Sequence, residues 1–297
     1  PLLVQWPKAT KAAMGLTAAQ VNDPGFVEVI QPAFDGKIYR LDLATGAQTR
    51  PPIVASGGFK GTGSIDPRGY PMLYAGQGLN DNDGTLVPWG FKAYDLITNK
   101  EVWRLNGQDA VSHRPSWGAF DSSCLINAAT DTLVEPAENG IVYKVQLNSR
   151  FDPVAKTMSI DPQVTKMVYR STLSNQYGVE SSAAAYRNLL YATDNDGTLL
   201  CWDATGLEIV WALDVGDNDD STLSIEETAA GAFLYNANSV GWRGANRAGM
   251  VTNIRKIDAL TGQVMWQHDV PCYYNDAVKE YNIAVSSYVE AEDTREE

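Results

Sequence analysis

The stretch AYDLITNKEVW, from Ala93 to Trp103, is one of several related segments in this 297-residue chain. KIDALTGQVMW (Lys256 to Trp266) and CWDATGLEIVW (Cys201 to Trp211) keep its aspartate and final tryptophan, whereas RLDLATGAQTR (Arg40 to Arg50) ends in arginine. The segments end at residues 50, 103, 211 and 266, so the spacings are 53, 108 and 55 residues. Because 108 is twice 54, a degenerate copy is expected to end near residue 157. YKVQLNSRFDPVAKTM (Tyr143 to Met158) lies there and keeps only the apolar alternation.

Other strand signals precede each copy. Asp-Gly or Asn-Gly pairs at Gly36, Gly140 and Gly197 separate runs of alternating apolar residues. Such pairs favour β-hairpins, because glycine and asparagine tolerate positive φ at little cost. A further strand, such as NLLYAT at 188–193, precedes the hairpin, and a small-residue strand, such as VESSAAAY at 179–186, precedes that. Four antiparallel strands in about 55 residues are typical of one blade of a β-propeller.

The sequence therefore predicts an all-β fold, a β-propeller of four-stranded antiparallel blades forming a single domain over 1–297. Helix is expected only near PKATKAAMG (Pro7 to Gly15). Each repeat tryptophan is expected to be buried between adjacent blades, with the Thr-Gly turn binding backbone across the junction. The expected blades are five complete ones and the start of a sixth, at residues 1–55, 56–110, 111–170, 171–216, 217–280 and 281–297.

The repeat resembles the tryptophan-docking motif of quinoprotein (PQQ-type) β-propellers, Ala-x-Asp-x-x-Thr-Gly-Lys-x-x-Trp. Five residues of the opening segment match this motif: Ala93, Asp95, Thr98, Lys100 and Trp103. Across the chain, the resemblance assigns the docking role to Asp42, Gly46, Asp95, Trp103, Asp203, Trp211, Asp258, Gly262 and Trp266. DPRGYPMLYAGQG at 66–78 and FDSSCLINAATDTL at 120–133 are most similar to uncharacterised bacterial extracytoplasmic "PQQ-binding-like" proteins.

The resemblance implies an extracytoplasmic location, either secreted, periplasmic or at the cell surface. The family includes PQQ-dependent alcohol and sugar dehydrogenases as well as the lipoprotein of the outer-membrane assembly machinery. Rings of this family usually have seven or eight blades, so the resemblance also implies that five blades form an incomplete ring. An incomplete ring would leave edge strands unpaired.

The sequence departs from the dehydrogenases of this family at their cofactor site. Those enzymes use a disulfide between adjacent cysteines and an axial calcium held by Glu, Asn and Asp, whereas the cysteines here, at 124, 201 and 272, are far apart. Asp121, Glu180 and Asp220 lie in or beside inner strands, and nothing in the sequence joins them into one set. The sequence thus argues against PQQ as a cofactor.

The net charge is −13, from 23 Lys and Arg against 36 Asp and Glu. A surface this acidic repels phosphate backbones, so no nucleic-acid partner is expected. No apolar stretch approaches the roughly 18 residues of a membrane span. The two histidines, His113 and His268, and the absence of a CxxC pair argue against zinc, and both histidines are expected on loops or strand surfaces.

An acidic segment, GDNDDSTLSIEE at 216–227, leaves calcium open as a ligand. Asp217, Asp219, Asp220 and Glu226 are the expected ligands, since calcium prefers several carboxylate oxygens on a flexible loop. The alternative is a solvated acidic loop, because the spacing is not that of an EF-hand. DNDG at 81–84 and 194–197 predicts turns, and GGFKGTGSIDPRG at 57–69 predicts a tight turn rather than a phosphate cradle.

No catalytic residue set is recognisable, so the sequence favours a non-catalytic extracytoplasmic propeller that binds a protein or glycan partner as a scaffold. No cofactor is expected apart from the calcium just described. The alternative function is a PQQ-dependent oxidoreductase of alcohols or sugars. Fold alone does not choose between these two functions.

Overall fold

The computed structural model describes residues 1–82, 84–239, 251–271, 273–275 and 280–282, with backbone alone at 82, 273–275 and 280–282. These residues form five four-stranded sheets and three separate two-stranded hairpins. The predicted all-β fold of four-stranded antiparallel blades is confirmed. Each sheet lies inside one of the five expected blade ranges, whereas residues 283–297 of the expected sixth blade lie outside the described part.

The first sheet and its helices occupy the first 54 residues. The elements are β1 (Leu2–Val4), α1 (Lys8–Ala13), α2 (Ala18–Asn22), β2 (Glu28–Pro32), β3 (Lys37–Asp42) and β4 (Ile53–Val54). Helix α1 lies in the predicted PKATKAAMG segment, and α2 was not expected. It begins with a capping box, in which Gln20 N donates to Thr17 Oγ1 at 3.3 Å and Thr17 N donates to Gln20 Oε1 at 3.0 Å. Among the described residues, no helix combines the length and apolar character that a membrane span needs.

The second sheet contains a short inserted hairpin. Its region comprises β5 (Ser64–Ile65), β6 (Met72–Gly76), β7 (Asp81–Asn82), β8 (Thr85–Leu86), β9 (Gly90–Asp95) and β10 (Lys100–Asn106). The sheet order is β10-β9-β6-β5, and β7 pairs with β8 alone. Asp81 and Asn82 of the DNDG segment lie on β7, and Gly84, just before β8, donates its N–H to Asp81 Oδ1 at 2.8 Å.

The third sheet differs from the expected degenerate repeat. Its region comprises β11 (Leu125–Asn127), β12 (Thr132–Pro136), β13 (Ile141–Gln146), β14 (Arg150–Asp152), β15 (Thr157–Ser159) and β16 (Gln163–Val168). The outer strand is β16, because the chain near residue 157 forms the separate hairpin β14–β15. Asp152 Oδ1 holds that turn by accepting from Val154 N and Ala155 N at 2.8 and 2.9 Å. The expectation that this copy ends near 157 is therefore wrong.

The fourth and fifth sheets follow the predicted pattern most closely. The fourth comprises β17 (Ala184–Tyr186), β18 (Leu189–Thr193), β19 (Thr198–Asp203) and β20 (Ile209–Asp214). The fifth comprises β21 (Ser224–Thr228), β22 (Gly231–Ala237), β23 (Val251–Asp258) and β24 (Val264–Pro271), followed by the hairpin β25 (Tyr273–Asn275) and β26 (Glu280–Asn282). In both sheets the strands are hydrogen-bonded in sequence order.

A β-bulge precedes each repeat tryptophan on its outer strand. In the second sheet the register of the pairing shifts by one residue between Glu101 and Trp103. The register shifts in the same way on the outer strands of the fourth and fifth sheets, opposite Cys201/Trp202 and opposite Lys256/Ile257. The extra residues are Val102, Val210 and Met265, and all three are exposed. A bulge increases local twist, so the repeat places each tryptophan on a strand bent in the same way.

The chain divides into two compact units. The first is Pro1–Ala137 with Tyr143–Lys166, and the second is Glu138–Val142 with Met167–Glu297. In the first unit, one core packs β2 and β3 against the second sheet through Ile30, Ile38, Phe59, Leu73 and Tyr94. In the second unit, the equivalent core joins the fourth and fifth sheets through residues that include Tyr191, Leu199, Leu234 and Ile257. Within each unit, successive sheets are therefore held together by buried side chains on their facing surfaces.

Candidate functional site

Trp211 joins the fourth and fifth sheets. Its Nε1 donates to the carbonyl oxygen of Ala259 at 3.2 Å. Its ring lies so close to Gly262 that a Cβ on that residue would be 2.8 Å from the ring. On its own sheet the ring packs against Tyr191, with centroids 5.9 Å apart. The contact therefore requires a residue without a side chain at position 262.

The acceptor of this contact is a turn that recurs in four sheets. We call Asp42–Gly46, Asp95–Asn99, Asp203–Leu207 and Asp258–Gly262 the docking turns. In the last of these, Asp258 Oδ1 accepts from Leu260 N and Thr261 N at 3.0 and 2.9 Å. The fourth residue after each aspartate has positive φ: 69° at Gly46, 56° at Asn99, 57° at Leu207 and 72° at Gly262. The repeat aspartate thus stabilises its own turn.

Arginines replace tryptophan where the first and second sheets meet. Arg40 Nη1 donates to the carbonyl oxygen of Leu96 at 2.8 Å, and Arg50 Nη2 donates to that of Ile97 at 3.3 Å. Leu96 follows Asp95 just as Ala259 follows Asp258, so the acceptor carbonyl is the same in both junctions. Sequence reasoning missed this role: Arg50 at the tryptophan position was an available signal, but the equivalent carbonyl is bound by Arg40, at the first position of the same segment.

None of the three repeat tryptophans is fully buried, in contrast to the expectation, and Trp211 itself is half-buried. Trp103 is half-buried and packs edge-on against Phe91, with centroids 6.4 Å apart. Trp266 is 44% exposed and packs against Tyr235, with centroids 6.1 Å apart. In the fourth sheet the fully buried tryptophan is Trp202, which lies in the segment Cys201 to Trp211 but not at a docking position. Burial of the repeat tryptophan therefore varies from sheet to sheet.

The acidic segment at 216–227 is not the solvated loop offered as one alternative. Asp217 and Asp219 are buried, at 0% and 1% exposure, and Asp220 is exposed. Asp219 Oδ1 accepts from Ser221 N at 2.8 Å, and its Oδ2 accepts from Asn236. Glu226 lies on β21, where it accepts from Tyr235 at 2.7 Å and from Lys256 at 2.8 Å.

These contacts already engage the carboxylate of Glu226. Hydrogen bonds from Lys256 and Tyr235 lower the pKa of Glu226, as expected for a carboxylate already paired with a cation. Beneath the loop, Arg255 donates to Asn238 Oδ1 at 3.0 Å and to Asn253 Oδ1 at 2.9 Å, and burial lowers its pKa. Calcium binding by Asp217, Asp219, Asp220 and Glu226 stays a prediction, although Glu226 is already paired with Lys256.

An oxygen-rich cluster in the second unit was not predicted as a set. Carboxylate oxygens of Glu138 and Glu180 lie within 4.8 Å of each other. Asn195 Nδ2 donates to Glu180 Oε1 at 2.8 Å, and Asn195 Oδ1 is buried without a hydrogen-bond partner. Glu138 is buried, and Gly178 approaches its carbonyl oxygen so closely that a Cβ would be 2.1 Å away. Carboxylate and amide oxygens are the ligands that hard cations prefer.

The remaining candidate carboxylates have other partners. Asp121 forms an ion pair with Lys60, and Asp220 Oδ2 accepts from Asn218 at 3.2 Å. In the first unit, Glu135 is fully buried and neither carboxylate oxygen has a hydrogen-bond partner. Burial, and then the charge of Asp121, raise the pKa of Glu135 well above its usual range. Burial thus favours the neutral form of Glu135, which its sequence context gave no means to predict.

The other sequence motifs have structural roles. At 194–197, Asp194 Oδ1 accepts from Thr198 N at 2.7 Å, so this DNDG is a turn. Within GGFKGTGSIDPRG, a Cβ on Gly61 would lie 2.3 Å from the carbonyl oxygen of Asp121, as expected for a tight backbone approach. His113 and His268 are exposed. Cys124 and Cys201 are buried free thiols, and Cys272 lies outside the described residues.

The four-stranded sheets, the order of the strands within them and the docking turns show that the chain has a β-propeller fold. Among solved structures, it is similar to BamB from Moraxella catarrhalis, with a TM-score of 0.53 and 13% identity. The match covers 83% of this chain and 59% of the BamB chain, so this chain spans about three fifths of that protein. At this identity the likeness shows the fold alone. No family model and no curated protein matches the chain.

Proposed function

We propose that this protein is a non-catalytic extracytoplasmic β-propeller module that binds a protein or glycan partner. The observation that supports binding is the outer strand β24, at the edge of the fifth sheet. Its residues Val264, Met265 and Trp266 are all exposed, next to one another on an edge strand. Adjacent apolar side chains on a strand edge are a common docking surface for proteins, so we favour a protein over a glycan.

The location and the excluded partners belong to the same proposal. The extracytoplasmic location rests on the repeat resemblance and on the fold shared with BamB. The net charge of −13 disfavours nucleic acid as a partner. No cofactor is required for binding by an outer strand.

The test is site-specific photocrosslinking with p-benzoylphenylalanine at position 265. Val154 is the matched control, because it is also exposed and apolar but lies on the β14–β15 hairpin. We expect one discrete adduct with an extracytoplasmic protein from position 265, lost with Trp266→Ala, and none from position 154. Equal adducts from both positions, or none from 265, would overturn the proposal for β24. Retention on a glycan array that depends on Trp266 would assign a glycan partner instead.

A PQQ-dependent oxidoreductase is the second candidate function. The observation that favours it is the oxygen cluster of Glu138, Glu180 and Asn195, whose donor set suits calcium. Bound PQQ would supply the redox chemistry, and these residues would hold its metal. Dye-linked oxidation of alcohols and sugars after addition of PQQ and calcium is the test. Activity that Glu180→Gln abolishes would replace the first candidate with this one.

A further inference from the structure

We propose that Ser56 is a nucleophilic serine that accepts an acyl group from an activated ester or thioester, with Lys92 as its base. Ser56 lies where the chain passes from β4 to β5, at the junction of the first and second sheets. The inference goes beyond the proposed binding function and does not depend on β24, because every residue of this site lies in the first unit.

The serine and the lysine are joined at two atoms. Lys92 Nζ donates to the carbonyl oxygen of Ser56 at 2.7 Å and lies 3.1 Å from Ser56 Oγ. The first contact fixes the nitrogen, and the second is within the distance at which a base takes a hydroxyl proton. A neutral amine keeps its N–H groups for the carbonyl oxygen while its lone pair accepts from Oγ. The pair therefore has the geometry of an activated serine with a lysine base.

Burial gives the two side chains different roles. Lys92, on β9, has 0% exposure, whereas Ser56 is partly exposed. A reagent in solvent thus meets Ser56 rather than Lys92. Burial, and then the positive charge of Arg104, lower the pKa of Lys92 to about 8, while the charge of Glu101 opposes this shift. Near neutral pH a fraction of Lys92 is therefore unprotonated and able to act as a base.

A guanidinium group contacts the same hydroxyl. Arg104 Nη2 donates to Ser56 Oγ at 3.3 Å. Glu101 orients this arginine by accepting from its Nε at 2.9 Å and from its Nη2 at 3.0 Å. A fixed cation beside the reacting oxygen stabilises the negative charge that develops during attack on a carbonyl group. Arg104 therefore supplies electrostatic stabilisation at this site.

The residue after the serine fixes the backbone of the site. Gly57 has a φ of 80°, and a Cβ on it would lie 2.1 Å from Gln77 Nε2 and 2.5 Å from the carbonyl oxygen of Leu79. Only glycine fits this close approach, so the chain turns sharply directly after Ser56. A fixed backbone holds the hydroxyl in one position relative to its base, as nucleophilic attack requires.

The reaction is a single acyl transfer. Ser56 Oγ attacks the carbonyl carbon of the donor and forms an ester bond, while Lys92 Nζ takes the hydroxyl proton. The bond to the leaving group then breaks, and this group departs with the electron pair as a thiolate or phenolate. The donor is an activated one because such an anion leaves without an acid to protonate it. Lys92 returns its proton to water, so the product is a chain modified at Ser56.

The test uses p-nitrophenyl acetate as the activated ester and peptide mass spectrometry to locate the acetyl group. We expect one acetyl ester per chain, on Ser56, formed with one equivalent of p-nitrophenolate. Its rate of formation should rise about tenfold from pH 7 to pH 9 and then level off, because the neutral fraction of Lys92 follows its pKa. Ser56→Ala should form no such ester, and Lys92→Met should slow its formation by roughly a hundredfold.

Ser64→Ala is the matched control, because Ser64 is also partly exposed and its hydroxyl donates to a carbonyl oxygen, that of Cys124 at 2.6 Å. This variant should react as the wild type does, and circular dichroism checks that all variants keep the fold. Acetylation of Lys92 in place of Ser56, an unchanged rate in Lys92→Met, or no ester between pH 7 and 10 overturns the inference. None of these outcomes affects crosslinking from position 265, so the proposed function is tested separately.

Discussion

Arg40 and Glu28 form an ion pair in which both side chains are completely shielded from solvent, with Arg40 Nε 3.0 Å from Glu28 Oε1. Arg40 Nη2 donates to Glu28 Oε2 at 3.1 Å, and Trp6 Nε1 donates to the same oxygen at 2.7 Å. The same arginine donates to Leu96 of the second sheet. The buried carboxylate thus orients the arginine that joins two sheets.

We predict that Glu28→Gln destabilises the fold by about 3–5 kcal/mol, because it leaves a buried arginine charge without its counterion. Urea unfolding followed by circular dichroism measures the change. The control is Glu101→Gln, which removes the partner of Arg104 in a partly exposed pair and should cost less than about 1 kcal/mol. Equal effects of the two substitutions would contradict the role assigned to Glu28.

Trp211→Ala should destabilise the fold by roughly 2–3 kcal/mol. This is below the about 3–5 kcal/mol of a fully buried aromatic, because the side chain is only half-buried. Trp211→Phe should keep most of the packing and lose about 1 kcal/mol with the hydrogen bond to Ala259. Thermal melting of the dilute protein measures both. Trp266→Ala is the control, with a loss under about 1 kcal/mol for an exposed residue, and a larger loss there would contradict this assignment.

Gly178→Ala should destabilise the fold more than Gly231→Ala. The two glycines have nearly the same φ, 135° and 140°, so alanine brings similar backbone strain of about 1–3 kcal/mol at each. At position 178 a Cβ would also lie 2.1 Å from the carbonyl oxygen of Glu138, whereas at 231 it meets nothing within 4 Å. The difference between the losses of unfolding free energy in the two variants measures the cost of placing a Cβ against the carbonyl oxygen of Glu138. No difference would show that the backbone beside Glu138 can move freely.

Lys92 should make the stability depend on alkaline pH. Its side chain is buried and Nζ donates to the carbonyl oxygen of Ser56 at 2.7 Å. Burial, and then the charge of Arg104, lower the pKa of Lys92 to about 8. Between this value and the usual lysine pKa of about 10.4, the unfolded chain binds more protons than the folded one, so the stability contribution rises with pH.

The measurement is the unfolding free energy from pH 7 to 10 for the wild type and for Lys92→Met. The penalty for charging Lys92, on the order of 2–3 kcal/mol, is full below pH 8 and falls as the pH rises toward 10. The wild type should therefore gain stability relative to Lys92→Met over this range. A difference that stays constant with pH would refute the lowered pKa.

Much of the fold could be predicted from local sequence. The recurring aspartate and glycine positions indicate the docking turns, because an aspartate side chain can hold a turn within five residues without help from the rest of the chain. Alternating apolar residues on either side of Asp-Gly pairs indicate the strands, since strand periodicity is also local. The outer strand of the third sheet was not predicted correctly, because its copy of the repeat lacks the aspartate and the tryptophan and contains an extra hairpin.

Only the tertiary structure determined which of these residues contact residues of a neighbouring sheet. Trp211 and Trp266 end equivalent segments of the repeat and have the same register, yet Trp211 donates to Ala259 whereas Trp266 is exposed. Glu138, Glu180 and Asn195 come from separate segments, and the buried Asp219 looked like part of a solvated loop. Burial and proximity depend on the packing of distant segments, and packing of that kind leaves no periodic mark in a single sequence. The sequence determined the repeating blade and its turns, whereas tertiary packing determined which residues the side chains of each copy contact.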